Sequence, residues 1–478
     1  MDSLCKSEPP RGAAGDILAG RTRFTVDAGF PAAFWVAYVA NVAVVTANAL
    51  TFRFAELVGY LGGRESTAGV IIAVATAAAL FSRVYLGQAI DRYGVRRLWI
   101  VSALFFVAGG GLLTISGSLW LLNVARSLFA IGLAGVFTCS NVHVQGLVPA
   151  HRRTEAIGTL GSGGFLGMFL GTAVGDAIFH AFDDGLRFAV LFGVATLLGV
   201  LHVALVVVVT RRDRHVPPAV TPAVHRLVVH HWPGNVMLVA FVMGLMFAVT
   251  TVFLTRFATQ QGLSGLGPFF ASYAISAFTF RLVSRSWSRT VGRHRMILWG
   301  LSGHVATMLI LPLVTSEWLF VIPAIFGGFG HALLFPAVIS LGSEAFPREY
   351  RGTGTTIVMG FIDVGTFVSA PLLGGIIDAF AGNGFTPMFL FAGAAAVVVA
   401  IIYQRTAARV PDSDLLPFVS AVQEPAGAAP LAARHSPIEP IARTTIESGS
   451  SREDSIVRPA VSAPARQSAA MVPATRCR

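Results

Sequence analysis

Gly87-Gln88-Ala89-Ile90-Asp91-Arg92-Tyr93-Gly94-Val95-Arg96-Arg97 is the stretch from which the rest of the chain can be read. Its charges, Asp91, Arg92, Arg96 and Arg97, are held between two long apolar runs. Gly87 lets a neighbouring helix come close, and Gly94 admits a left-handed turn. Asp91 can cap a helix or pair with a basic group. A short polar turn joining two apolar helices suits a chain that crosses a hydrocarbon layer about 30 Å thick, which takes roughly 20 residues per helix.

Outward from that turn, apolar runs predict spans at 31–53, 68–88, 97–117, 119–144, 154–180 and 186–210. A second set falls at 234–257, 268–288, 296–314, 318–342, 352–380 and 385–404. The 478 residues are 54% hydrophobic and 12% charged, about half the charge of a soluble domain. So few charges cannot cover a water-soluble surface of this size, and the expected solvent is lipid. The expected fold is therefore an all-α membrane protein of twelve transmembrane helices. Residues 31–210 and 234–405 form its two six-helix bundles. Residues 211–233 read as a basic cytoplasmic linker, and 406–478, rich in Ala, Pro, Ser and Arg, as a disordered cytoplasmic tail. Residues 1–30 read as a cytoplasmic N-terminal segment without the apolar core of a signal peptide.

The formal charge of +11 does not point to nucleic acid, because the basic residues sit in short clusters between apolar runs rather than along one face. Arginines gather in alternate loops: Arg92, Arg96 and Arg97; Arg152 and Arg153; Arg211, Arg212, Arg214 and Arg226; Arg285, Arg289, Arg293 and Arg295; Arg348 and Arg351. The intervening loops hold Arg53, Arg64, Arg187 and Arg256. That alternation predicts both termini in the cytoplasm and a multi-pass protein of the inner (plasma) membrane. Cys5, Cys139 and Cys477 are too few and too scattered for a disulfide framework or a metal site. No metal and no cofactor are expected.

The two sets of spans echo each other. Gly94 and Gly292 lie 198 positions apart, and the same spacing joins Arg83 to Arg281, Gly132 to Gly330, Pro149 to Pro347, Arg153 to Arg351 and Gly167 to Gly365. Arg53-Phe54-Ala55 is matched by Arg256-Phe257-Ala258 at a spacing of 203. Arginines and prolines keeping one register are hard to produce by chance, and a duplicated bundle with a site between its halves is a transporter architecture.

The opening stretch resembles the G-x-x-x-D-R-x-G-R/K-R/K loop of the major facilitator superfamily. The resemblance covers roughly residues 30–405. It implies alternating access, with Gly87, Asp91, Arg92, Gly94, Arg96 and Arg97 latching the cytoplasmic side. In the second copy Arg285 and Arg289 stand where Gly87 and Asp91 stand in the first, so the latch is expected to be one-sided. In the fifth span, Gly167 to Asp176 is similar to the helix-5 signature G-x-x-x-G-P-x-x-G-G of exporters in the superfamily, with Thr172 for the proline and Asp176 for the last glycine. Gly163, Gly164, Gly167, Gly171 and Gly175 also suit tight helix packing.

Charges inside spans cost about 2.5–3.5 kcal/mol on insertion scales and mark pathways. Arg126 in the fourth span is expected to face the interior, since the superfamily's drug–proton exporters have an arginine at a similar depth. Asp363 lies 12 residues after Arg351, about 18 Å along a helix and hence near the midplane. It is the first candidate for proton coupling. His331 is a weaker pathway candidate, with His304 and His202 behind it. Asn41 and Asn48 could line the pathway, because the resemblance implies that spans 1, 4, 7 and 10 surround the cavity.

The expected function is secondary active transport of a small organic solute, by proton-coupled efflux of a metabolite or drug-like compound. The expected partners are that solute, protons and the bilayer, and the expected state is a monomer. Uptake or facilitated diffusion of a small anionic metabolite is one alternative, and a non-transporting sensor with the same fold is another. A membrane enzyme is disfavoured: the sequence has no HExxH, no Cys/His cluster, no P-loop and no G-x-S-x-G.

Overall fold

The computed structural model describes residues 29–263, 266–380, 383–407 and Asp412. The apolar runs fold as long helices because lipid leaves the backbone no other partner than itself. In the first half, α1 is Ala32–Leu50, continued beyond a 3-10 turn at Thr51–Arg53 by Phe54–Tyr60. It is followed by α2 (Glu65–Tyr93), α3 (Val95–Ile115), α4 (Leu119–Gly146), α5 (Arg153–Ala181) and α6 (Asp184–Val209). A linker helix, Val224–His230, precedes the second half. There α7 (Val236–Ala248) passes through a π turn at Val249–Phe253 into Leu254–Gln260. Then come α8 (Gly267–Val283), α9 (Arg293–Ile310), α10 (Val321–Glu344), α11 (Arg351–Ala379) and α12 (Phe385–Ala407).

Eleven of these elements are long and apolar enough to span a membrane. The twelfth, α8, is a 17-residue helix that continues through a 3-10 turn into Trp287–Thr290. The side chains around the outside are apolar: Phe81 and Tyr85 are 72% and 75% exposed. Trp120 and Trp318, 198 positions apart near the starts of the fourth and tenth spans, are 74% and 77% exposed, where a bilayer interface favours tryptophan.

The duplication is visible in the backbone. Gly94 closes α2 and opens α3 at φ 88°, ψ 152°, and Gly292 precedes α9 at φ 92°, ψ 149°. Gly94 is a one-residue link and Gly292 follows Val291 in a two-residue one, and both hold a conformation that only glycine adopts without strain. Each half has its own core, one around Phe34, Trp99, Phe106, Phe129 and Phe192, the other around Phe257, Phe269, Phe320, Met388 and Phe389. The halves meet where α2 packs on α11 and where α5 packs on α8 and α10.

Candidate functional site

The arginine-bearing end of the bundle is shut. Asp91, buried at the end of α2, sits on the N-terminus of α11 and accepts from the Gly352 amide (2.7 Å), the Thr353 amide (2.9 Å) and the Thr353 hydroxyl (2.5 Å). Free amides and a positive dipole end make that position favourable for a carboxylate. One turn earlier, a Cβ on Gly87 would lie 2.7 Å from Thr353 Cα, so glycine is what lets α2 and α11 touch.

The other residues of the loop hold the linker rather than the second half. Arg92 offers its carbonyl to His215 Nε2 (3.2 Å), Arg96 donates to the Arg211 carbonyl (3.3 Å), and Arg97 is exposed. His143 meets Asp213 at 3.1 Å. Further along, Gln88 donates to Pro222 O and Tyr350 to Val220 O, so the linker lies across the junction of α2 and α11.

Gln145 of α4 accepts from Ser343 of α10 at 2.9 Å. These two are 198 positions apart, so they are equivalent residues of the two halves. Equivalent residues can touch only on the pseudo-two-fold axis, which this bond therefore marks. Across the axis the latch has a counterpart that the sequence reading did not anticipate. Arg289, the equivalent of Asp91, lies 3.5 Å from Glu155 of α5, the equivalent of Thr353. At the matched positions an arginine thus stands for the aspartate and a glutamate for the threonine.

Deeper in, Asp363 of α11 is not alone. Arg83 of α2 donates to it through Nε at 2.5 Å and to the Thr138 hydroxyl of α4 at 2.9 Å. This ion pair joins the halves, with the Arg83 side chain 9% and the Asp363 side chain 34% exposed. Arg83 was visible in the sequence as a charge inside a span. Its only distinguishing mark there is its match to Arg281 in the repeat, because its partner lies 280 positions away.

The remaining candidates separate. Arg126 lies seven residues into α4, about 10 Å from its start, with the Phe54 and Phe129 rings at 5.4 and 5.3 Å. It donates to Thr51 (2.9 Å), whose hydroxyl in turn donates to the Asn48 carbonyl (2.8 Å) at the break in α1. Asn41 is buried and donates to the Leu160 carbonyl at 2.9 Å, a bond between α1 and α5. His202 accepts from Trp99 Nε1 (3.2 Å) and bonds the Ala40 carbonyl through Nδ1 (2.8 Å), both inside the first-half core. His304 is buried beside Gly330.

His331 stands among the rings of Phe165, Phe247, Tyr273 and Phe335, at 5.6, 6.4, 6.1 and 5.9 Å. Four glycines of α5 face α1, while Gly164 has nothing within 4 Å of its Cβ position. A Cβ on Gly163 would meet Tyr38 and Val42 at 3.1 Å, one on Gly167 the Val42 carbonyl at 2.7 Å, one on Gly171 the Ala49 Cβ at 2.6 Å, and one on Gly175 Leu50 at 3.7 Å. Asp176, at the end of that series, pairs with Arg53.

No group of three or more His, Cys, Asp or Glu residues that could hold a metal occurs among the described residues. What the arrangement can do is hold two half-bundles together at one end through charged contacts, some of which a proton could cancel.

Comparisons with known proteins agree with that architecture. The chain is 25% identical over 368 residues to the uncharacterised MFS-type transporter YhhS of Escherichia coli (strain K12), covering 73% of this chain and 86% of that protein. It is 27% identical over 370 residues to an uncharacterised MFS-type transporter of Burkholderia mallei (strain SAVP1), with the same coverage of 73% and 86%. Among solved structures, FucP, an MFS transporter in the outward conformation, superposes with a TM-score of 0.61 at 16% identity over 78% of this chain and 97% of that one. The human organic anion transporter MFSD10 superposes with a TM-score of 0.63 at 14% identity over 78% of this chain and 100% of that one. At such identities these two likenesses concern the fold alone. The sequence profile of the Major Facilitator Superfamily matches residues 32–316 and 267–441, nearly the whole helical region, and the chain belongs to that superfamily of multi-pass membrane transporters.

Proposed function

We propose that this transporter is a proton-coupled exporter of a small organic solute, working by alternating access with Asp363 as its proton site. The observation that carries the reading is the Arg83–Asp363 ion pair, 2.5 Å long and shared between the halves. With Asp363 ionised, the pair helps keep the arginine-bearing end shut. A proton on Asp363 removes the charge that holds Arg83, at a loss of about 1.5–3 kcal/mol for a charge-assisted bond. A ligand or proton moves a two-state equilibrium only through such a difference between the states.

By the distribution of arginine, the closed end and both termini belong on the cytoplasmic side of the plasma membrane, and the unit of function is the monomer. The state described here is then outward-facing. Export as the direction is supported by the resemblance of the α5 glycine series to the exporter signature.

Two measurements test this. In inside-out vesicles, one member of a panel of labelled organic solutes should accumulate when the interior is acid and cease to do so with a protonophore. Accumulation only in right-side-out vesicles under an inward proton gradient would replace export by uptake. For the coupling, the rate at which Ser343→Cys reacts with a maleimide in a background without native cysteines, divided by that of a free thiol at the same pH to remove the titration of the thiolate, should rise as pH falls. In Asp363→Asn that ratio should be high at every pH. A retained pH dependence of the ratio in that variant removes Asp363 from the mechanism.

A further inference from the structure

The repeat that pairs Arg83 with Arg281 also pairs Asp363 with Phe165. In the structure the equivalence is spatial: Arg83 of α2 meets Asp363 of α11, and Arg281 of α8 lies over the Phe165 ring of α5 at 5.2 Å. The second half thus repeats the arginine but not its carboxylate.

Arg281 is 3% exposed, and a guanidinium stays charged in a protein. Its one hydrogen bond is from a terminal nitrogen to the Gly158 carbonyl (3.3 Å), and its buried Nε has no partner. Glu155, one helical turn before Gly158, is held by Arg152 (3.0 Å) and Arg289 (3.5 Å). Among the described residues no carboxylate pairs with Arg281. A buried, unpaired charge is costly and calls for a counter-ion.

The surroundings say what kind. The guanidinium also lies over the Phe335 ring at 5.4 Å, and His331 lies parallel to Phe335 with an interplanar angle of 9°. His331 has Phe165, Phe247 and Tyr273 around it, and neither its ring nitrogens nor the Tyr273 hydroxyl has a hydrogen-bond partner among the described residues. One fixed cation, two further polar groups left open and three phenylalanine rings therefore converge from α5 of one half and α7, α8 and α10 of the other.

We infer that this cluster is the substrate site and that it takes a small organic monoanion, a carboxylate on a flat apolar body. The carboxylate pairs with Arg281 in the place where the repeat has Phe165 for aspartate, with His331 and Tyr273 available to its second oxygen. The flat body lies among the rings. A dianion such as phosphate would leave one charge uncompensated beside a single arginine. The ligand supplies the second interhelix ion pair that the protein itself lacks. This deepens the transporter reading above and rests on it for the word substrate, but not on its proton coupling or its direction.

The test is calorimetric binding of benzoate to the purified full-length protein, with benzamide as its uncharged counterpart. Benzoate should bind, and benzamide at least tenfold more weakly. Arg281→Gln should weaken benzoate at least tenfold, with Arg281→Lys in between. Phe165→Asp should abolish benzoate binding, because a built-in carboxylate then occupies Arg281, whereas Phe165→Leu should retain it. Equal binding of benzoate and benzamide, no benzoate binding to the wild type, or benzoate binding indifferent to Phe165→Asp in a monodisperse protein would each overturn the site. Gly69→Ala, whose Cβ would meet nothing within 4 Å, should leave benzoate binding within about twofold. Because binding is read without a proton gradient, a failure of the proton mechanism and a failure of this site read differently. Binding that obeys these rules without any flux of labelled benzoate would leave the site standing and remove the transport reading.

Discussion

Replacing Gly87 by alanine adds one methyl group at the point where α2 touches α11. That Cβ would sit 2.7 Å from Thr353 Cα and 3.2 Å from the Thr356 Cβ and Oγ1. Carbon atoms rest about 3.5–4.0 Å apart, so the two helices must part by about 1 Å. One turn away, the bonds from Asp91 to the Gly352 and Thr353 amides, 2.7 and 2.9 Å long, would be stretched past hydrogen-bonding distance by that movement. Overpacking costs about 1–3 kcal/mol and a charge-assisted bond about 1.5–3 kcal/mol. Both arise from one displacement and do not add, so the closed end loses about 2 kcal/mol, a factor of about 30 in population. On the alternating-access reading proposed above, α2 and α11 separate in the opposite state, where the methyl group costs nothing.

The readout is the maleimide reaction rate of Ser343→Cys, a position 1% exposed and bonded to Gln145 across the axis. Gly87→Ala should raise that rate about tenfold or more. Gly69→Ala, on the same helix with nothing within 4 Å of its Cβ, should leave it unchanged. An unchanged rate in Gly87→Ala, with the Gly69 control behaving, would refute the view that this contact sets the gate.

Asp91→Asn keeps the shape but loses the charge facing the α11 N-terminus. It should raise the same alkylation rate several-fold and depress turnover while leaving solute binding measurable; unaltered turnover would reject the latch. Gly171→Leu should act on folding instead, because its side chain would drive into the Ala49 Cβ 2.6 Å away. A fall of several degrees in thermal midpoint is expected there, and a wild-type midpoint would mean that α1 and α5 can slide apart freely.

Most of the scaffold was legible because lipid enforces a simple rule: a long apolar run is a helix. What the runs could not give was where charged ends stop. The second span was read as 68–88, but α2 runs to Tyr93 because Asp91 is satisfied by Gly352 and Thr353, residues about 260 positions away. The 3-10 turn at Thr51–Arg53 and the π turn at Val249–Phe253 carry no glycine or proline, so nothing local announced them. Partners were hidden for the same reason. Asn41 looked like a pathway residue from its place in the first span, yet it serves the Leu160 carbonyl. Asp363 looked isolated because Arg83 is 280 positions from it. The linker is legible as a basic stretch, but not as a strap held by Gln88 and Tyr350. The expectations for residues 1–28, 408–411 and 413–478 concern positions outside the described residues.

The repeat held more of the chemistry than the individual motifs did. A strictly duplicated carrier would have two equivalent ion pairs between its halves, both answering to protons and neither leaving room for a solute. This chain keeps the scaffold equal, as the two glycine links at φ 88° and 92° show, and varies the partners at matched positions. Asp91 on the α11 N-terminus is answered by Arg289 beside Glu155, so both contacts are electrostatic but sensitive to opposite substitutions. Arg83 has a carboxylate of the protein, while Arg281 has the Phe165 ring. On the reading proposed above, that single difference divides the labour: one arginine releases its partner when a proton arrives, and the other gains a partner only when the solute does. Coupling between proton and solute then needs no direct contact between them, because each completes or breaks a pair across the same two halves.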